Sequence, residues 1–178
     1  YASVLVRMMS PETGSQDLFD SMATVWIYSI SSDIGTALAL RRLNSGWNVA
    51  GTYRTWSKQL QDLKEKGANL VQMDAADPDS VAAAADCLVT SVGRFDECVM
   101  AFGTLEPIGH FHEISWHEWE MSISVNLTAQ LHATHTALLF RNPDALFLFF
   151  AGAGTNSATK RISSYTVSRI ALIKMTVF

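Results

Sequence analysis

A regular alternation of short apolar runs with longer helical segments most constrains the fold, and it occupies the chain from Ala23 onward. The apolar runs are rich in Val, Ile, Phe and Tyr, which favour strands, and the segments between them show helical periodicity. Near-continuous apolar strands that alternate with helices are typical of a parallel sheet covered on both faces. The sequence therefore predicts an α/β fold in three layers, with a doubly wound parallel sheet of about five strands. The predicted strands are "ATVWIYSI", "WNVAGTYR", "ANLVQMD", "FDECVMAFG" and "DALFLFFAG".

Capping and breaking residues set the limits of the predicted helices. "DIGTALALRRLNSG" and "TWSKQLQDLKEKG" both end in glycine, which stops a helix. A third helix is predicted over Asp79–Val92, because Pro78 suits a first turn. The last two predicted helices run from Ser115 to about Phe140, and through "SSYTVSRIAL" to Phe178.

Length and composition limit the domain organisation and the class of function. The 178 residues suit one domain, predicted over residues 22–178, and residues 1–21 are predicted to be a flexible leader without function. A net charge of −4 argues against a nucleic-acid binder, which would carry a basic face. No apolar run approaches ~18–20 residues, so no membrane span is predicted. Two cysteines without metal-ligand spacing favour a reduced, cytoplasmic setting.

The first strand is followed by the turn "YSISSDIG", at a position where α/β folds bind nucleotides. Glycines in such a turn let backbone N–H groups approach a pyrophosphate at the helix N-terminus. Only Gly35 is present, and Ser29 and Asp33 stand where two further glycines would be expected. Asp33 also fits a simple helix N-cap, and both interpretations stay open.

This turn resembles the TGxxxGIG motif of the short-chain dehydrogenase/reductase family, whose members have a Rossmann-type fold. The resemblance extends from Thr24 to Phe178, with the first two glycines of the motif replaced by Ser29 and Asp33. The family binds a nicotinamide cofactor and transfers a hydride between it and a small carbonyl or alcohol. The resemblance therefore implies cofactor contacts in this turn, from Ser29, Ser31, Ser32, Asp33, Ile34 and Gly35.

Three further positions extend the implied cofactor site. The second strand ends in "GTYR", without the acid that would bind a ribose 2′-hydroxyl in an NAD-specific member. Arg54 would instead pair with a 2′-phosphate, which favours NADP over NAD, although an ordinary exposed Arg would look the same. Asp74 matches the family residue that bonds the adenine amino group, and it also fits a turn. Gly103, in "MAFG", matches the last residue of the family's Asn-Asn-Ala-Gly.

"SSYTVSRIAL" resembles the family's catalytic helix, in which a Tyr is the acid and a Lys four residues later assists it. Tyr165 matches the Tyr, Arg169 stands at the Lys position, and Asn126 in "SVNLT" matches a helical Asn that holds a water. Arg keeps the positive charge and can still bond ribose hydroxyls, so the resemblance implies that Tyr165 and Arg169 also contact the cofactor. Arg does not deprotonate, however, and so cannot relay a proton. The family's catalytic Ser lies 13 residues before the Tyr, which here is Gly152. Hydroxyls that could substitute are Thr155, Ser157, Ser163 and Ser164.

These residues predict an NADP(H)-dependent oxidoreductase with Tyr165, Arg169 and Asn126 at its catalytic centre. A missing oxyanion donor typically costs ~3–4 kcal/mol, so a nucleotide-binding protein without turnover, serving in regulation or assembly, is the alternative. An incomplete enzyme is a third possibility, since the family's last strands are absent after Phe178.

The resemblance also implies a homodimer or homotetramer formed through the fourth and fifth helices. His132 and His135 have helical spacing but no evident third ligand, so no metal site is predicted.

Overall fold

The computed structural model describes residues 2–7, 22–152 and 160–175. It contains the five predicted strands within one or two residues of their expected limits at most ends, and the fifth begins earlier. One further strand lies near the N-terminus. In chain order the strands are β1 (Ala2–Arg7), β2 (Thr24–Tyr28), β3 (Asn48–Tyr53), β4 (Asn69–Gln72), β5 (Phe95–Met100) and β6 (Arg141–Ala151).

The sheet has the strand order β1-β6-β5-β2-β3-β4. The strands from β2 to β6 are all parallel, which confirms the predicted parallel sheet. At the centre, β2 pairs with β3 through Val25 and Val49, and with β5 through Val25 and Glu97. The chain therefore winds outward in both directions from β2, and the switch point where such folds bind ligands lies between β2 and β5.

The N-terminal strand differs from the sequence prediction. Ala2–Arg7 lies antiparallel to β6, with Ala2 opposite Ala151 and Arg7 opposite Leu146, whereas residues 1–21 were expected to form a flexible leader. The physical reason is that "VLV" favours an extended conformation, and the outer edge of β6 offers backbone groups that need partners. The rest of the predicted leader, residues 8–21, lies outside the described residues.

Helices cover both faces of the sheet. The long fourth helix of the sequence prediction is divided, because a π-helical turn at Ser124–Thr128 interrupts it and a 3₁₀ turn at Leu138–Phe140 ends it. No helix in the described ranges is long and apolar enough to cross a membrane. The helices are α1 (Asp33–Asn44), α2 (Lys58–Glu65), α3 (Pro78–Val92), α4 (Trp116–Ile123), α5 (Ala129–Ala137) and α6 (Ser163–Met175).

Side-chain alternation along β2 divides the core into two layers. Trp26 and Tyr28 belong to a cluster with residues of α3 and α5, and Trp26 packs on Phe95 with ring centroids 4.9 Å apart. Val25 and Ile27 belong to the opposite cluster, with residues of α1 and α2. Every residue of β2 is buried, as expected for a strand that is covered on both faces. The two layers hold the carboxyl ends of the central strands in a fixed arrangement.

Candidate functional site

A cleft of about 670 Å³ lies at the carboxyl ends of β2, β3, β4 and β5. Its walls are the turns that follow these strands, which is where open parallel sheets bind nucleotides. Six of the eleven predicted cofactor-binding residues line it, namely Ser29, Ser31, Ser32, Arg54, Asp74 and Gly103. The other five lie outside the lining, with Asp33, Ile34 and Gly35 in the first turn of α1 and Tyr165 and Arg169 on α6.

The turn after β2 shows why glycine was expected at Ser29. This residue has a φ of 65°, in the left-handed region that costs a non-glycine residue about 1–3 kcal/mol. Hydrogen bonds hold it there, because its N–H donates to Thr52 Oγ1 at 2.9 Å and its carbonyl accepts from Ser32 Oγ at 2.8 Å. Ser32 Oγ also accepts from Gly35 N at 3.0 Å. Ser32 therefore caps α1, and the alternative in which Asp33 is the N-cap is wrong.

Gly35 is the point where α1 packs against the preceding turn. A β-carbon at this position would lie 2.3 Å from the carbonyl oxygen of Ser29 and 2.9 Å from Cα of Ile30. Both are backbone atoms, so no rotamer change could relieve the contact. The single glycine that this chain keeps from the motif is thus the one that the geometry requires.

Arg54 and Asp74 lie on the cleft at the ends of β3 and β4. Both side chains are exposed, and Asp74 Oδ1 accepts a hydrogen bond from Ala76 N at 2.9 Å, which makes it a turn-forming residue as well. Within the described part of the chain, Arg54 forms no ion pair. Its charge is therefore available to an anion that enters the cleft.

Asn126 lies in the π-helical turn between α4 and α5 and is completely buried. Its amide forms two hydrogen bonds with the backbone of Thr104, from Nδ2 to the carbonyl at 2.8 Å and from the N–H to Oδ1 at 2.9 Å. Nδ2 also donates to Ser122 Oγ at 3.1 Å. Asn126 thus fixes the segment that follows β5, and π-turns often occur at functional sites.

Tyr165 and Arg169 lie one turn apart on α6, and the guanidinium carbon is 4.9 Å from the centre of the phenol ring. Arg169 is only 5% exposed, and its Nη2 donates to the carbonyl of Phe102 over a long 3.5 Å. Among the described residues, Nε and Nη1 have no acceptor. Burial lowers the pKa of Arg169, and the neighbouring Tyr165 acts in the opposite direction. This buried cation therefore has donor groups that no described residue satisfies.

Two glycines surround this pair. A β-carbon on Gly103 would lie 2.2 Å from Arg169 Nη2 and 2.7 Å from Asn126 Oδ1. A β-carbon on Gly152 would lie 2.0 Å from the phenol oxygen of Tyr165. Gly103 also lines the cleft, so it joins the predicted cofactor site to the predicted catalytic residues.

The four hydroxyls considered as substitutes for the missing Ser have different positions. Ser163 Oγ accepts a hydrogen bond from Trp119 Nε1 at 3.1 Å, and Ser164 is fully buried. The other two, Thr155 and Ser157, lie outside the described residues. Gly152 itself offers no hydroxyl next to the phenol of Tyr165.

Gln130 is a site residue that the sequence reasoning missed. It is fully buried, and its Nε2 donates at 2.6 Å to the carbonyl of Phe102, the same oxygen that Arg169 contacts. The available signal was its spacing, since Gln130 follows Asn126 by four residues and so lies on the same helical face. A second buried amide on the same helical face as Asn126 indicates a partner within the protein.

Replacement of Asn126 by Ala is expected to lower the free energy of unfolding by about 1–3 kcal/mol, because the backbone groups of Thr104 would lose their partners. Urea denaturation measures this difference. The matched control is Asn44→Ala at the exposed end of α1, where a change below about 0.5 kcal/mol is expected. Equal effects of the two substitutions would contradict the positioning role of Asn126.

Comparison with known proteins identifies the family to which the chain belongs. The sequence profile of a family described as enoyl-(acyl carrier protein) reductase matches residues 30–177, which is most of the chain. The chain is a short-chain dehydrogenase/reductase. Comparison with curated proteins found no match.

Solved structures of other proteins share this fold, among them that of a short-chain dehydrogenase/reductase from Serratia marcescens. A mutant of the enzyme from Serratia marcescens has a TM-score of 0.80 at 19% identity, with 86% of this chain and 65% of that chain covered. A blue fluorescent protein from a metagenomic library, solved in complex with NADPH, has a TM-score of 0.72 at 22% identity, with 86% and 65% covered. Aldohexose dehydrogenase from Thermoplasma acidophilum has a TM-score of 0.73 at 24% identity, with 86% and 58% covered.

The likeness to these structures concerns the fold, and the chain spans less than two thirds of the length of the structures that it matches. Membership of the short-chain dehydrogenase/reductases confirms the family resemblance and the Rossmann-type fold. The roles assigned to Tyr165, Arg169, Asn126 and the residues of the cleft stay predictions.

Proposed function

We propose that this short-chain dehydrogenase/reductase is an NADP(H)-dependent enzyme that reduces a small carbonyl compound or oxidises an alcohol. The observation that carries the proposal is the contact between Tyr165 and Arg169, whose guanidinium lies against Gly103 in the wall of the cleft. A proton donor and a buried cation thus lie beside a cleft at the nucleotide-binding edge of the sheet.

The residues of the cleft fit a nicotinamide dinucleotide. The tight turn that Gly35 permits leads into the N-terminus of α1, where the helix dipole would stabilise a pyrophosphate. The negative charge of Asp33 is exposed and outside the lining of the cleft. Asp74 would bind the adenine amino group, and the backbone at Gly103 would follow the adenine ribose. When bound, the nicotinamide would supply or accept the hydride.

Each catalytic residue has a distinct task in this proposal. Tyr165 donates a proton to the carbonyl oxygen or removes one from the alcohol. Arg169 stabilises negative charge on Tyr165, and its Nε and Nη1, which have no acceptor among the described residues, would donate to ribose hydroxyls. The amide of Asn126 is engaged with Thr104 and Ser122, which supports a structural task over direct contact with the substrate.

The preference for NADP rests on Arg54. An exposed guanidinium at the end of β3, with no acid in the first turn of α2, suits the phosphate of a phosphorylated ribose. A relative with the same fold, the metagenomic blue fluorescent protein, was solved with NADPH, which is consistent with this preference.

Replacement of Arg54 by Ser is expected to weaken NADPH binding by about 10- to 100-fold, because a charge-assisted hydrogen bond is worth about 1.5–3 kcal/mol. NADH binding should change by no more than about twofold. Fluorescence titration of both nucleotides measures these affinities. Arg41→Ser, an exposed Arg on α1 outside the cleft, is the control. An equal loss of affinity for both nucleotides would exclude a 2′-phosphate contact at Arg54.

A second candidate, a nucleotide-binding protein without turnover, is favoured by the lack of a hydroxyl at Gly152. The two candidates differ in one measurement, which is the oxidation of bound NADPH after mixing with a panel of aldehydes and ketones. Consumption of NADPH supports the enzyme. Tight binding of NADPH without consumption, by a folded protein, supports the second candidate.

We also propose that the protein forms a homodimer or homotetramer through α4, α5 and α6, the elements that correspond to the fourth and fifth predicted helices. Exposed apolar side chains on α4 and α6 support this proposal, namely Trp116, Met121, Val167 and Ile170. Analytical ultracentrifugation tests it, and a purely monomeric protein at micromolar concentration would refute it.

A further inference from the structure

We propose that Gly152 is a positioning residue for Tyr165, and that Gly152 and Arg169 function as a coupled pair. Without a side chain at position 152, the phenol lies against the end of β6 and its ring stays in contact with the guanidinium. The consequence for turnover rests on the proposed function, whereas the consequence for the position of Tyr165 does not.

The clearance at Gly152 is the first observation. A β-carbon there would lie 2.0 Å from the phenol oxygen, 2.3 Å from Cε1 and 2.4 Å from Cζ of Tyr165. Non-bonded carbon atoms need about 3.5–4.0 Å, so any residue other than glycine would displace the phenol. The contacts all involve the far end of a side chain that can rotate. Tyr165 would therefore move while the backbone of β6 stayed in place.

The surroundings of Arg169 are the second observation. Its guanidinium fits closely against Gly103, where a β-carbon would lie 2.2 Å from Nη2, and the ring of Tyr165 is 4.9 Å away. Its hydrogen bond to Phe102 is long, and Nε and Nη1 have no acceptor among the described residues. The side chain of Tyr165 is thus a principal favourable contact of this buried cation, through its aromatic face and through hydrogen bonding. Displacement of Tyr165 would remove that contact.

These contacts link the two departures from the family pattern. A planar guanidinium stacks on an aromatic face, whereas a lysine ammonium is a compact charge that needs no such face. Arg at position 169 therefore requires Tyr165 in its present position, and that position requires glycine at 152. We therefore expect Ser at position 152 to lower kcat when residue 169 is Arg, and to be tolerated when residue 169 is Lys.

The position of Tyr165 can be measured without any substrate. The 19.6 kDa protein is small enough for NMR spectroscopy, in which the ring current of Tyr165 should shift the Nε–H resonance of Arg169. The resonance that disappears in Arg169→Lys is assigned to Arg169. Gly152→Ala should move this resonance towards the positions of exposed arginines. Gly109→Ala is the control, because a β-carbon there would meet only the flexible side chain of Ile114 at 3.2 Å. An unchanged Arg169 resonance in folded Gly152→Ala would overturn the proposal.

The coupling can be measured with a double-mutant cycle of Gly152→Ser and Arg169→Lys, using kcat for NADPH-dependent carbonyl reduction. We expect Gly152→Ser alone to reduce kcat at least tenfold, and the double mutant to exceed Gly152→Ser at least tenfold. Additive effects of the two substitutions on kcat would overturn the coupling.

Failure of the proposed function would be distinguishable from failure of this inference. If all four proteins bind NADPH and none reduces a carbonyl compound, the proposed function is refuted. The Arg169 resonance then decides alone whether Gly152 positions Tyr165. A shift of this resonance in Gly152→Ser, without a shift in the control Gly109→Ala, would support the proposal under those conditions. An unchanged resonance in Gly152→Ser would reject it.

Discussion

Replacement of Tyr165 by Phe is expected to reduce kcat for carbonyl reduction by about 10²–10⁴-fold, the usual contribution of a general acid or base. The phenol oxygen is the only atom removed, and the ring that stacks on Arg169 is kept. We therefore expect NADPH affinity to change by less than about threefold, since the lost contact would serve the reacting oxygen and not the nucleotide. Steady-state kinetics and fluorescence titration measure the two quantities separately.

Tyr28→Phe is the matched control for this experiment. Tyr28 is fully buried in the core cluster between the sheet and α3 and α5, and it lies outside the cleft lining. Loss of its hydroxyl should leave kcat within about twofold. A Tyr165→Phe enzyme that keeps more than half of the wild-type kcat would show that another group transfers the proton.

The order of strands and helices could be predicted from the sequence because nearly every element carries a strong local signal. All five residues of β2 are apolar or β-branched and buried, and serines at positions 32, 57 and 115 cap α1, α2 and α4. Along the chain, the residues that favour each strand or helix and the residues that end it indicate the same limits. The order of elements, and with it the fold, can therefore be predicted from local signals.

Two parts of the fold depend on long-range contacts, which a local pattern does not contain. The N-terminal run "VLV" is too short to identify as a strand until the free edge of β6 is known. The π-helical turn at Ser124–Thr128 contains Asn126, which contacts Thr104, a residue 22 positions earlier in the chain. Neither partner could be inferred from spacing alone.

The candidate site was predictable as a set of residues, but the contacts between them were not. Family motifs identify Tyr165, Arg169 and Gly152 one at a time, through their positions in the sequence. The contact of the phenol with Gly152 and the fit of the guanidinium against Gly103 appear only in three dimensions. The same holds for Gln130, whose partner is a backbone carbonyl that carries no sequence signal.

Replacement of Gly35 by Ala should have the second large effect, on both folding and nucleotide binding. The new β-carbon would lie 2.3 Å from the Ser29 carbonyl oxygen and 2.9 Å from Ile30 Cα, so the turn would have to move away from α1. Overpacking of this kind typically costs about 1–3 kcal/mol, which urea denaturation measures as a lower midpoint. Because Ser29, Ser31 and Ser32 line the cleft, their displacement should weaken NADPH binding by more than tenfold.

The control for Gly35→Ala separates stability from binding. Gly46 follows α1 with a φ of 76°, and a β-carbon there would have nothing within 4 Å. Gly46→Ala should therefore lower the free energy of unfolding by about 1 kcal/mol through backbone strain and leave NADPH affinity unchanged. If Gly35→Ala bound NADPH as well as Gly46→Ala did, the turn after β2 would not be the pyrophosphate site. The cofactor would then have to be held mainly by the residues that follow β3, β4 and β5.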